Sequence, residues 1–260
     1  MNEKVFLITG GSSGIGLAIS KILVSKGAKV ISLSRSKEKV ERALSQLPEL
    51  KGKVEFIFGD ASNEEDMIRV WKYIEKKYAV IHGIVNNAAI LNKGTIETIG
   101  IDDWKNLLNV NLTGPYIVTK TLLPLLKKAN GASIVNISSV AGLKPGTSVA
   151  YSVSKAGLDM FTKFLAGDLG PYKIRANSVN PGLVRTNIHL DNEVVKDKET
   201  YENMLIKSAP RYPVGRVGEP EDIAEMVVFL LSDKSTWVSG SIITVDGGVM
   251  VENDLIPPKK

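Results

Sequence analysis

The side chains best suited to acid–base chemistry lie in the run Tyr151-Ser152-Val153-Ser154-Lys155. Four residues apart, Tyr151 and Lys155 share one face if this segment is helical. A phenol with a pKa of about 10 moves protons poorly at neutral pH, and a nearby ammonium stabilises its ionised form. So tuned, Tyr151 can give a proton to a carbonyl oxygen or take one from an alcohol. Ser138 and Ser139 close an apolar run that ends at Ile137. A hydroxyl there can hydrogen-bond the same oxygen and stabilise charge developing on it. Ser139 is the preferred candidate and Ser138 its rival, because adjacent strand residues point to opposite faces.

A second constellation lies near the N-terminus, in Thr9-Gly10-Gly11-Ser12-Ser13-Gly14-Ile15-Gly16. It follows a short apolar run and precedes the helical pattern Ile15, Ala18, Ile19, Ile22, Leu23. Glycines at 10, 14 and 16 permit a tight turn, close approach of a phosphate and close packing of the helix. The N–H groups of the turn and helix start, carried by Ser12, Ser13 and Ile15 among others, suit a pyrophosphate. No Lys-Ser/Thr pair follows, so the pattern predicts a dinucleotide and not a nucleoside triphosphate.

The second apolar run ends in Ser34-Arg35. An acidic residue here would favour NAD(H) through the ribose hydroxyls. Ser34 and the Arg35 guanidinium instead offer a hydroxyl and a cationic fork to a 2′-phosphate, with Lys37 or Lys39 able to assist. NADP(H) is therefore the expected cofactor and NAD(H) the alternative. Asp60, followed by Ala61, is placed to accept from the adenine amino group, or else caps the next helix. Asn86-Asn87-Ala88-Ala89 follows the fourth run. Asn87 and Ala88 are expected on the cofactor side, with Asn86 structural.

These groups need a scaffold that gathers strand ends. Short apolar runs at 5–8, 30–33, 54–58, 81–85, 134–137, 174–179 and 242–245 read as strands covered on both faces. Helical patterns lie between them, including a long one over 102–128 that Pro115 and Pro124 are expected to bend or subdivide. Pro220, Glu221 and Asp222 suit the first turn of a later helix. The alternation predicts an α/β, doubly wound Rossmann-type domain over 1–250, with a mainly parallel seven-stranded sheet and helices on both faces. Residues 187–213 break the rhythm after a strand's C-terminal end and are expected to form a substrate lid. The closing 251–260 reads as a tail, which could reach a neighbour's pocket.

The chain has 260 residues and no cysteine, which removes disulfides and thiolate chemistry. Its net charge of +5 is spread thinly and could attract a phosphorylated ligand or an acyl carrier. No dense basic stripe or aromatic platform argues for nucleic acid. No run approaches the roughly 20 apolar residues of a spanning helix, and no leader pattern is present, so cytoplasm is the default expectation. His82 and His189 lie far apart without a ligand cluster, and no metal is expected.

From about Lys4 to Gly248 the chain resembles the classical short-chain dehydrogenase/reductase family, including 3-oxoacyl carrier-protein reductases and related carbonyl reductases. The resemblance rests on the 9–16 turn, Asn86–Ala89, Asn111, Ser139, Tyr151, Lys155, Pro181-Gly182 and Asp246-Gly247-Gly248. It implies a catalytic tetrad of Asn111, Ser139, Tyr151 and Lys155. Asn111, preferred to Asn109, would disturb a helix and hold a water that links solvent through Lys155 and the nicotinamide ribose to Tyr151. The interval from Ser139 to Tyr151 is one residue shorter than the family's usual one. Val140-Ala141-Gly142 fixes the register at Ser139 and places the shortening within 143–149. Pro181-Gly182-Leu183-Val184-Arg185-Thr186 resembles the family's nicotinamide-side loop. Val184 would offer backbone groups to the carboxamide and Thr186 a hydroxyl, presenting the B face. Hydride transfer between nicotinamide and a ketone or aldehyde, or its alcohol, is the implied activity. Carrier-bound 3-oxoacyl groups, polyols, sugars and steroids are the alternative substrates, and a non-catalytic dinucleotide sensor or scaffold is the alternative class. The resemblance also implies a homo-oligomer, with a tetramer favoured over a dimer.

Overall fold

A computed structural model of the chain describes residues 1–251. The expected tail therefore lies outside the described residues from 252 onward. Seven strands form where the apolar runs stand: β1 (Val5–Thr9), β2 (Lys29–Ser34), β3 (Val54–Phe58), β4 (Gly83–Asn86), β5 (Ser133–Ile137), β6 (Arg175–Pro181) and β7 (Ile242–Val245). All pair in parallel, in the order β3-β2-β1-β4-β5-β6-β7. The order reverses between β1 and β4, so the crevice for a ligand opens at the C-terminal ends of these two strands. The sheet is parallel throughout, where the sequence supports only a mainly parallel one.

The helices are α1 (Gly14–Ser25), α2 (Lys37–Gln46), α3 (Glu64–Tyr78), α4 (Ile101–Leu108), α5 (Gly114–Lys128), α6 (Val149–Leu169), α7 (Ile188–Asp191), α8 (Lys198–Ser208) and α9 (Pro220–Leu231). Alternation along β1 serves two cores. Phe6 and Ile8 join α1 and α9 on one face through Ile19, Leu23, Ile223 and Val227. Val5 and Leu7 join α3, α5 and α6 on the other through Met67, Ile74, Leu122 and Leu165. Two covered faces explain why the strands read as nearly continuous apolar runs.

Three expectations shift. Residues 102–128 do divide, but at a π-helical turn, Asn109–Thr113, and not at the prolines. Pro115 falls in the first turn of α5, while Pro124 sits inside it without ending it. Pro124 and Lys120, whose carbonyl loses its helical partner, both lie on the exposed side, open to solvent. β4 starts two residues later than its apolar run, since Ile81 turns its N–H to the Leu125 carbonyl. Residues 187–213 carry the short α7, then α8, and build a small cluster from Tyr201, Leu205 and Tyr212 together with Val217 beyond them.

Candidate active site

The C-terminal strand ends surround a cleft of about 640 Å³. At its floor the β1–α1 turn needs glycine for specific reasons. Gly10 and Gly14 have φ of +68° and +50°, which side chains with a Cβ rarely adopt. A Cβ on Gly16 would stand 2.5 Å from the Gly10 carbonyl oxygen and 2.6 Å from Asn87 Nδ2. Gly10, Ser12, Ser13, Gly14 and Ile15 line the cleft, but Gly16 does not. It packs α1 against the turn, so its expected cofactor contact is replaced by a close helix approach. Ser13, the N-cap of α1, makes no side-chain cap bond, and the first turn holds no acid. That leaves the helix start available to an anion, as the pyrophosphate of a dinucleotide requires.

Toward the β2 and β3 ends, Ser12 Oγ and Ser34 Oγ are 2.9 Å apart. Arg35 Nη1 lies 3.5 Å from Asp60 Oδ2. The other Asp60 oxygen accepts from the Ser62 N–H at 2.8 Å and the Ser62 hydroxyl at 2.6 Å. Burial works to raise the Asp60 carboxyl, but the Ser62 hydrogen bonds and the Arg35 charge together hold it below its usual range. Asn63, not Asp60, caps α3. Ser34, Arg35, Asp60 and Ala61 all line the cleft, as do Asn87 and Ala88. The Asn87 amide is committed to the turn, donating to the Thr9 and Gly10 carbonyls at 3.0 and 3.2 Å. Asn86 instead donates to Asn136 Oδ1 at 2.8 Å, inside the sheet.

At the β5 end, α6 presents Tyr151 and Lys155 one turn apart. Lys155 is only 2% exposed, and its Nζ donates to the Ile137 carbonyl at 2.8 Å. It lies 5.6 Å from the centre of the Tyr151 ring. Burial pushes the ammonium down to about 8, against the pull of Asp159 one turn further along α6. Burial likewise drives the Tyr151 phenol up to about 12, with the Ser139 side chain pulling the other way. The expected lowering belongs to the phenol flanked by both the ammonium and an oxidised nicotinamide; in the protein alone, loss of water prevails over the Ser139 hydrogen bond.

The two serines separate cleanly. Ser138 turns its hydroxyl to the Lys155 carbonyl at 3.1 Å. Ser139 Oγ accepts from the Ala141 N–H at 3.1 Å, and its own hydroxyl hydrogen-bonds toward the Tyr151 phenol. Asn111 sits in the π-helical turn, 1% exposed and off the cleft wall. Its amide grips the Ile90 backbone in both directions at 2.9 Å and reaches Ser154 Oγ at 3.3 Å. Its geometry is that of a positioning group, not of one that touches a reacting atom.

After β6, Pro181, Gly182, Val184 and Thr186 line the opposite wall. The Tyr212 and Tyr201 hydroxyls accept from the Leu183 and Thr186 N–H groups at 2.8 and 2.9 Å. Leu183 and Arg185 pair with Gly218 on either side of Val184. Among the described residues, neither backbone group of Val184 has a partner. Val184 can therefore serve a carboxamide with both a donor and an acceptor.

Several groups in this site carry no local sequence signal. Thr9 Oγ1 accepts from the Asn87 and Ala88 N–H groups, both at 3.0 Å. The buried Asp159 accepts from Ser178 Oγ and Asn180 Nδ2, each at 2.8 Å, and Asn180 also donates to the Ser139 carbonyl. His189 lines the cleft, stacked on Tyr201, and its buried Nδ1 finds no partner among the described residues. No group of three His, Cys, Asp or Glu side chains able to hold a metal occurs among the described residues. No helix among them is long and apolar enough to cross a membrane.

With a glycine cradle, a polar adenosine end and a half-buried phenol beside a buried ammonium, the cleft fits a nicotinamide dinucleotide. Known proteins agree with that fit. Residues 10–250 match the family model described as enoyl-(acyl carrier protein) reductase. A 3-oxoacyl-(acyl-carrier-protein) reductase of Thermotoga maritima is 36% identical over 96% of this chain and 99% of its own. The NADP-dependent (R)-specific alcohol dehydrogenase of Lentilactobacillus kefiri is 35% identical over 95% of this chain and 97% of its own. The ligand-free aldohexose dehydrogenase of Thermoplasma acidophilum superposes with a TM-score of 0.88 at 32% identity, covering 99% of this chain and 98% of its own. The chain belongs to the classical short-chain dehydrogenase/reductase family and is an NAD(P)(H)-dependent oxidoreductase acting on carbonyl or alcohol substrates.

Proposed function

We propose that this chain is an NADP(H)-preferring carbonyl reductase or secondary-alcohol dehydrogenase in which Tyr151 moves the proton and Ser139 holds the reacting oxygen. The observation that carries the reading is the Tyr151 phenol and the Ser139 hydroxyl, hydrogen-bonded to each other and lining one cleft with the buried Lys155. When bound, the nicotinamide would supply hydride chemistry at the substrate carbon, with Val184 and Thr186 holding its carboxamide. Ser139 donates to the substrate oxygen and, being fixed in advance, stabilises the charge that develops there. Tyr151, pushed up to about 12, is protonated at neutral pH, the state that reduction requires. Oxidation requires the phenolate, which the Lys155 charge and that of the oxidised nicotinamide both favour. Lys155, near 8, exchanges a proton readily in the same pH range. Asn111 acts as a positioning residue by holding Ile90 and Ser154.

For the cofactor, Ser34 and Arg35 stand where an acidic residue would select NAD(H), so the adenosine end suits a 2′-phosphate. Residues 187–213 form the lid. A homotetramer is favoured over a dimer by two separate exposed apolar faces. Tyr116, Met160 and Phe164 form one on α5 and α6, and Phe229 with the 99% exposed Trp237 forms the other. A second substrate reading, reduction of carrier-bound 3-oxoacyl groups, is favoured by the Thermotoga relative.

The test is Tyr151→Phe. It should keep NADPH binding, read by nucleotide fluorescence, and lose roughly 10²–10⁴ in kcat for ketone reduction. Near-normal turnover would overturn the assignment. In parallel, wild-type protein should use NADPH better than NADH and lose that preference in Arg35→Ala. Equal use by wild type would remove the NADP reading.

A further inference from the structure

We propose that Asp191 sets the strength of the cofactor preference by competing with the ribose 2′-phosphate for Lys39. The inference rests on the NADP(H) reading above and extends it to the lid. Lys39 Nζ lies 2.6 Å from Asp191 Oδ2, a normal charge-assisted distance, between residues 152 apart in the chain. Lys39 belongs to α2, which follows β2, and Asp191 to α7, which follows β6. Both side chains line the cleft, so the pair joins its two walls.

The surrounding charges leave Lys39 as the contested group. Ser36 caps α2 by accepting from the Lys39 N–H at 3.1 Å, which sets Lys39 beside Ser34 and Arg35. Arg35 meets Asp60 only at 3.5 Å, and Asp60 is anchored by Ser62. That long contact leaves most of the Arg35 fork open. Glu38 is turned to Arg42 at 2.7 Å. Among the described residues, Asp191 is the one carboxylate paired with Lys39.

A phosphate monoester carries about 1.5 to 2 negative charges and three acceptor oxygens, more than a carboxylate. A 2′-phosphate therefore takes Lys39 from Asp191, whereas the uncharged hydroxyl of NAD(H) leaves the pair intact. Binding the phosphorylated dinucleotide must break a contact that binding the other does not. Asp191 thus blunts the NADP preference, and its release frees α7 when NADP(H) arrives.

The experiment is equilibrium binding of NADP⁺ and NAD⁺ to wild type, Asp191→Asn, Lys39→Met and the double variant. Asp191→Asn should bind NADP⁺ roughly two- to five-fold tighter, the scale of a partly exposed ion pair. Its NAD⁺ affinity should change less than about two-fold, because no contact to Lys39 is at stake. Lys39→Met should weaken NADP⁺ selectively, and in that background Asp191→Asn should have no further effect. The inference is overturned if Asp191→Asn leaves the affinity ratio unchanged, tightens both dinucleotides equally, or acts alike with and without Lys39. Wild type that binds both dinucleotides equally, with Arg35→Ala silent, would remove the NADP reading and this inference together. A clear wild-type preference with a silent Asp191→Asn would remove this inference alone.

Discussion

Lys155 is the residue whose burial has the largest calculable consequence. Its ammonium falls from 10.5 to about 8, chiefly through burial, at 2% exposure. With the folded pKa below the unfolded one, the charged lysine weighs against folding by about 3 kcal/mol at neutral pH. Between the two values the unfolded chain binds a proton that the folded protein has released. Stability from this group therefore rises as pH climbs from 8 toward 10.5, opposite to the behaviour of a lysine in a salt bridge. Lys155→Met removes the titration. It also removes the bond to the Ile137 carbonyl, but that loss is the same at every pH.

The assay is guanidinium unfolding of both proteins at fixed concentration, at about pH 7 and about pH 10. Wild type should gain about 2–3 kcal/mol over Lys155→Met across that interval, other titrations cancelling in the difference. A difference that does not change with pH would refute a desolvated ammonium at this position. The variant should also lose most reductase turnover, so that a group which burdens the fold is retained for the reaction.

Two further outcomes follow from the same geometry. Gly16→Ala places a Cβ 2.5 Å from the Gly10 carbonyl oxygen. It should shift the phosphate turn and weaken NADPH binding by roughly ten-fold, an effect of about 1.4 kcal/mol, measured by fluorescence titration. Unchanged binding would mean that the turn tolerates the displacement. If Ser139 donates to the substrate oxygen as proposed, Ser139→Ala should cut kcat by roughly 10²–10³. Its KM should move much less, and an effect confined to KM would assign Ser139 to ground-state binding alone.

Strand placement was legible because two covered faces turn every strand into an apolar run, as with Phe6 and Leu7 on opposite sides of β1. What escaped was set by contacts across the chain. The π-helical turn at Asn109–Thr113 leaves no periodic mark, and only the family resemblance of Asn111 pointed to it. The one-turn separation of Tyr151 and Lys155 on a helix was legible from their spacing, while their singling out needed the family resemblance. The preference for Ser139 over Ser138 came from the Val140-Ala141-Gly142 register, and its physical reason appears where Ser138 meets the Lys155 carbonyl. Asp159, Tyr201 and Tyr212 brace the site from distant elements, and nothing local distinguishes them from core or surface residues. The direction of the Tyr151 shift in the protein without cofactor was not legible for a related reason. Sequence spacing shows the neighbouring charge, but it does not show how thoroughly water is excluded.

The account depends on a phenol kept protonated by burial and released by positive charge when the oxidised cofactor binds. NMR of tyrosine labelled at Cζ, with Tyr151→Phe to assign the signal, reads this directly. In the free protein Tyr151 should titrate near pH 12, and with NADP⁺ bound it should titrate well below that value. A titration that is the same with and without NADP⁺ would contradict the account.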